Sequence, residues 1–143
     1  MLNTEAGYRR LFFGAALYNL TLGLIFLTLF SQIMNLFHMP TPSQELAVFH
    51  QMGILLAMVF GVGYYMVSRD LHAQRGIVVL GIIGKIIVFL LFSFHLLFSG
   101  LHFLIFLIGA GDLAFALLFC KFLAFSRIET GTESPRAEKQ WRA

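Results

Sequence analysis

Four long apolar runs, residues 11–30, 46–67, 76–98 and 101–122, fix what this 143-residue chain can become. Each holds about 20 residues, the number a helix needs to cross a hydrocarbon core roughly 30 Å thick. Hydrophobic residues make up 59% of the chain and charged residues only 12%, against roughly 25% charged in a soluble domain. The expectation is therefore an all-α integral membrane protein, a four-helix bundle of one domain over residues 1–125, with no length left for a separate soluble domain. The first run is longer than the apolar core of a signal peptide and lacks a small-residue cleavage site after it, so it is expected to be retained. Cys120 is the sole cysteine and has no spacing partner for a disulfide, metal or redox motif.

Lys and Arg set the expected orientation. Arg9 and Arg10 precede the first run, Arg69 and Arg75 separate the second from the third, and Lys121, at the very end of the fourth, is followed by Arg127, Arg136, Lys139 and Arg142. The segment 31–45 has none. Both termini are thus expected on the cytoplasmic side, with His38, Pro40 and Pro42 outside together with a tight turn at Ser99 and Gly100. The net charge of +3 is distributed as flanks of spans, which argues for an anionic lipid surface and against nucleic acid. Residues 126–143 are polar and carry Gly131, Thr132, Glu133, Ser134 and Pro135, the composition of a poorly ordered cytoplasmic tail. Tyr8 and Trp141 suit interfacial anchors.

Lys85 and Asp112 are ionisable groups inside apolar spans, where charge is costly and faces a bundle interior or an aqueous cavity. At 1.5 Å per residue, Lys85 lies roughly 13 Å past Gly76, and Asp112 roughly 16 Å past Leu101, which starts from the other face. Only Ser99 and Gly100 separate the two spans, so they must be antiparallel neighbours with both charges near the midplane. An ion pair is expected. The stripe Gly81, Lys85, Val88, Phe92, His95 and Ser99 should face His102, Ile105, Gly109, Asp112 and Ala116, with Gly84 and Gly111 also allowing close approach. Asn19 and Thr21 lie near mid-span, where either is placed to complete the hydrogen bonding of the pair. Two readings stand: a pair that fixes helix register and adds little net stability, because desolvation offsets attraction, and a functional role as a proton- or anion-linked site or as a coupling element in a larger complex.

The same hairpin levels His95 with His102, and His50 and Gln51 enter about 6 Å from the outer face, near that height. These histidines read either as separate interfacial side chains or as ligands. The ligand readings are a haem b held by His50 with His95 or His102, since four-helix membrane cytochromes place histidines at matching heights on different helices, and a Zn or Cu site of three imidazoles. Gly61, Gly63, Tyr64 and Tyr65 read as helix packing and an aromatic belt; without a strand, the Gly-x-Gly is no phosphate loop. No Ser–His–Asp set or paired carboxylate suggests catalysis.

The segments Ala16-Leu17-Tyr18-Asn19-Leu20, Gly61-Val62-Gly63-Tyr64, Arg69-Asp70, Gly81-Ile82-Ile83-Gly84-Lys85 and Gly111-Asp112-Leu113 resemble small bacterial four-span inner-membrane proteins, loosely DoxX-like in size and topology. The resemblance runs over residues 11–122, implies a bacterial inner membrane, and carries no activity with it. The expected role is a non-enzymatic accessory subunit or self-associating module, with the bilayer and other membrane proteins or further copies as partners. The alternatives are a haem- or metal-binding redox subunit and a small proton-coupled transporter or channel.

Overall fold

A computed structural model describes the backbone of residues 4–140 and the side chains as far as Ser126. It contains four helices: α1 (Glu5–Leu36), α2 (Ala47–Arg69), α3 (Arg75–Phe98) and α4 (Phe103–Gln140). All four carry a stretch long and apolar enough to cross a membrane, that of α4 being Phe103–Ser126. The expected spans agree with these helices within a few residues, except where polar sequence extends a helix beyond its apolar run. α4 is drawn on to Gln140, beyond its apolar stretch. Trp141 lies outside the described residues.

Local chemistry sets the helix ends. Thr4 caps α1 by accepting from Gly7 N at 3.2 Å, and Glu5 sits in the first turn, where the helix dipole favours an anion. α1 leaves helical geometry at Leu29 (φ −115°, ψ 16°). One residue earlier, Thr28 Oγ1 donates to Leu24 O at 2.8 Å, a back-bond that bends helices. Between α2 and α3, Asp70 Oδ1 accepts from Ala73 N at 3.0 Å and His72 N at 3.1 Å, closing an Asx-type turn. Those two donors hold the Asp70 carboxyl below the usual carboxylate range. At the α3–α4 turn, His95 O accepts from both Ser99 N and Leu101 N, and Gly100 takes the left-handed φ of 70° that glycine adopts without strain.

The helices associate as two hairpins, α1 with α2 and α3 with α4. Small residues let the backbones approach within each. A Cβ on Gly61 would stand 3.1 Å from Asn19 Cβ, and one on Gly109 would stand 2.8 Å from Phe92 Cβ. Between hairpins the contact is aromatic: the Phe12 and Phe119 rings lie 4.7 Å apart, Tyr64 and Phe119 5.0 Å, and Tyr8 and Phe122 5.1 Å. These rings, with Ala15, Ala16, Val67, Leu71 and Val78, form the buried core. It lies in the half of the bundle flanked by the arginines. Polar ties close that end: Arg9 Nη1 donates to Ser68 O (3.3 Å) and Arg69 O (2.5 Å), Arg75 Nη2 to Ser126 Oγ (2.8 Å), and His72 pairs with Glu5 (2.8 Å).

Candidate functional site

Lys85 of α3 and Asp112 of α4 form the expected ion pair, with Lys85 Nζ donating to Asp112 Oδ1. Both are buried, Lys85 at 4% exposure. Nζ also donates to Asn19 Oδ1 of α1 at 3.1 Å, and Asn19 Nδ2 donates to Ala57 O of α2 at 3.0 Å. One chain of polar contacts therefore links all four helices. The amide performs both halves of its chemistry, its oxygen accepting from the cation while its nitrogen satisfies a backbone carbonyl.

Three rings surround the ammonium. Nζ lies 5.2 Å from the ring centroid of Phe115, 5.4 Å from Tyr64 and 5.6 Å from Tyr18, within the range of cation–π attraction. Two glycines make room for the tyrosines. A Cβ on Gly81, one helical turn before Lys85, would stand 2.7 Å from Tyr64 Cε1, and one on Gly111, next to Asp112, 2.7 Å from Tyr18 OH. Tyr18 OH donates to Ile108 O at 2.9 Å, which anchors the ring on α4 one turn before Asp112.

The sequence reading placed Tyr64 with Tyr65 in an interfacial belt. Tyr65 is 45% exposed and fits that role, whereas Tyr64 is 1% exposed and belongs to the wall around Lys85. Tyr18 and Phe115 were not singled out at all. The usable signals were Tyr18 beside Asn19, and Gly81 and Gly111 beside the charges, since glycine next to a buried ion leaves room for something large. Thr21 does not join the pair. It is exposed, because two residues rotate a helix by about 200° and turn Thr21 away from the side that carries Asn19.

The expected facing stripes hold in the middle and part toward the α3–α4 turn. Gly81, Lys85, Ile105, Gly109, Asp112 and Ala116 are buried, and Phe92 packs on Gly109. His95 and His102 are exposed. His95 neighbours Phe94 on its own helix. His102 stacks on Phe37 at 4.5 Å, and its Nδ1 accepts from Leu104 N at 3.2 Å, so it caps the start of α4. His50 lies against Phe30 at 3.7 Å, with Nε2 buried and without a hydrogen-bond partner. Each imidazole thus has its own aromatic neighbour. Among the described residues no group of three or more His, Cys, Asp or Glu is placed to hold a metal ion, so the three-imidazole Zn or Cu site is not assembled.

Comparison with family models, with curated proteins and with solved structures gives no match to this chain. The chemistry of the site is consequently read from its own geometry. An ammonium, a carboxylate, a carboxamide and three rings, closely packed, make a neutralised unit with its donors directed at fixed acceptors. That arrangement suits holding helices in register.

Proposed function

We propose that this chain is a non-enzymatic component of a bacterial inner membrane, an accessory subunit or self-associating module whose ion pair locks the bundle so that its outer surface can serve helix–helix contacts. The observation that carries this reading is the closure of Lys85. Asp112 and Asn19 take up its charge, and Tyr18, Tyr64 and Phe115 cover it. Lipid or neighbouring helices then meet an almost wholly apolar face, including Leu55, Leu56, Val59, Ile83, Ile87 and Leu90, each 49% or more exposed. A DoxX-like affiliation is part of the same proposal, as is placement of both termini in the cytoplasm.

Purification in mild detergent from native membranes tests the role. The expected result is a discrete complex of defined stoichiometry, formed by copies of this chain or by another membrane protein, that persists in the Lys85→Met/Asp112→Leu double variant. A monomer that conducts protons in liposomes, with flux abolished by Asp112→Asn, would instead make it a transporter. A Soret band diminished by His50→Ala or His95→Ala would make it a haem subunit. Orientation is tested separately, with Ser43→Cys and Ser134→Cys in a Cys120→Ala background. An impermeant thiol reagent on intact cells should label the first and not the second, and the reverse pattern would invert the topology.

A further inference from the structure

A second feature lies at the arginine-rich end, away from the ion pair. Arg75, Gly76 and Val79 of α3 and Cys120, Leu123 and Ala124 of α4 line a groove of about 640 Å³. Its volume falls in the range of roughly 300–1,000 Å³ typical of small-molecule sites. Its walls are mainly apolar, and among the described lining residues Arg75 alone is charged. A Cβ on Gly76 would meet nothing within 4 Å, so packing of α3 on α4 does not require this glycine, and its missing side chain leaves the groove open. Arg75 is held in place by donating from Nη2 to Ser126 Oγ at 2.8 Å, a bond that engages one of the five N–H donors of a guanidinium.

We propose that this groove seats one anionic phospholipid, its phosphate on Arg75 and an acyl chain along Gly76, Val79, Leu123 and Ala124. Charge complementarity selects this occupant. Among the described residues, Arg9, Arg69 and Lys121 share the same end of the bundle, while the carboxylates there are engaged, Glu5 by His72 and Asp70 by the amides of its own turn. A planar guanidinium fork matches a phosphate, and basic pockets between transmembrane helices at the cytoplasmic leaflet recognise anionic headgroups. An apolar channel leading from a cation fits a diacyl lipid, whose tail continues from its headgroup into hydrocarbon.

The test is native mass spectrometry of the full chain in detergent with equal amounts of dioleoyl phosphatidylglycerol and dioleoyl phosphatidylcholine. The wild type should retain one phosphatidylglycerol with about fivefold preference, the factor that one interfacial cation supplies. Arg75→Gln should bring the ratio to near parity, and Arg75→Lys should restore much of it. Gly76→Leu, at a position where an added Cβ meets nothing within 4 Å, should fill the groove and lower phosphatidylglycerol retention without unfolding the bundle. The exposed cation variant Arg10→Gln should behave as wild type. Parity in the wild type, or unchanged preference in Arg75→Gln or Gly76→Leu, overturns the seat. Displacement of the lipid by glycerol 3-phosphate would assign Arg75 to a soluble anion and overturn it as well.

Discussion

Lys85 Nζ donates to Asn19 Oδ1 at 3.1 Å across 66 positions of sequence, joining the third helix to the first at the level of the buried carboxylate. This contact makes the ion pair a property of the whole bundle, because Asn19 in turn holds Ala57 O of α2. Without it no hydrogen bond would tie the pair to α1 or α2.

Separating the charges should cost more than removing both. Lys85→Met leaves the Asp112 carboxylate buried without its cation, and Asp112→Leu leaves the ammonium with only Asn19. Each should lower stability by about 3–5 kcal/mol, the cost of breaking buried pairs in soluble proteins, less whatever neutralisation or water entry recovers. The double variant should regain more than half of the summed loss in thermal unfolding. A double loss equal to the sum of the singles would show that the two residues do not interact.

Asn19→Ala and Thr21→Val should part company. The first removes an acceptor for Lys85 and a second donor to Ala57 O, which should cost about 1–3 kcal/mol. The second alters an exposed hydroxyl and should leave the melting temperature within experimental error. Equal effects would mean that the amide is not part of the polar chain.

Gly111→Ala tests how firmly Tyr18 is held. The new methyl would stand 2.7 Å from a hydroxyl fixed by Ile108 O, and overpacking of this kind costs about 1–3 kcal/mol. Adding Tyr18→Phe removes the nearest atom and should relieve part of the loss. Gly53→Ala, where a Cβ meets nothing within 4 Å, should be neutral or stabilising by up to about 1 kcal/mol. A double variant no better than Gly111→Ala would exclude the tyrosine as the obstacle.

The Asp70 turn carries the one pH dependence assigned to a group outside the spans. Its carboxyl is depressed on folding, so its ionised form stabilises the native state above the unfolded value of about 3.9, and the stabilisation fades as pH falls through the lower folded value. Asp70→Asn should therefore be less stable than wild type at neutral pH, by a margin that narrows in acid. A margin unchanged between about pH 6 and pH 2 would mean that the charge contributes nothing.

The spans and the pairing of Lys85 with Asp112 were legible because lipid thickness fixes helix length and a two-residue turn fixes how two helices stand side by side. The rings around the ammonium were not, since Tyr18 and Tyr64 arrive from α1 and α2, whose rotation against the second hairpin no turn dictates. Helical phase explains His95 and His102. Seven residues from Lys85, Phe92 stays within about 20° of the stripe, whereas His95, ten residues on, has drifted by about 80°. The same arithmetic keeps Ile105 on the stripe of Asp112 and turns His102 off it, and His95 and His102 are both exposed. Nothing local in the sequence marks Thr21 as outward until Asn19 is known to face in.

Because the two hairpins are each closed by their own contacts, the burden of carrying charge into lipid is confined to one of them. Residues 11–36 and 47–68 contain no Asp, Glu, Lys or Arg. During synthesis the hairpin whose apolar stretches carry no charge emerges from the ribosome first and needs no counter-ion to lodge in hydrocarbon. The later hairpin carries cation and anion together and can enter the bilayer already self-neutralised. On arrival it meets a waiting amide and two phenol rings, so the order in which the chain is made coincides with the order in which its costly groups find shelter.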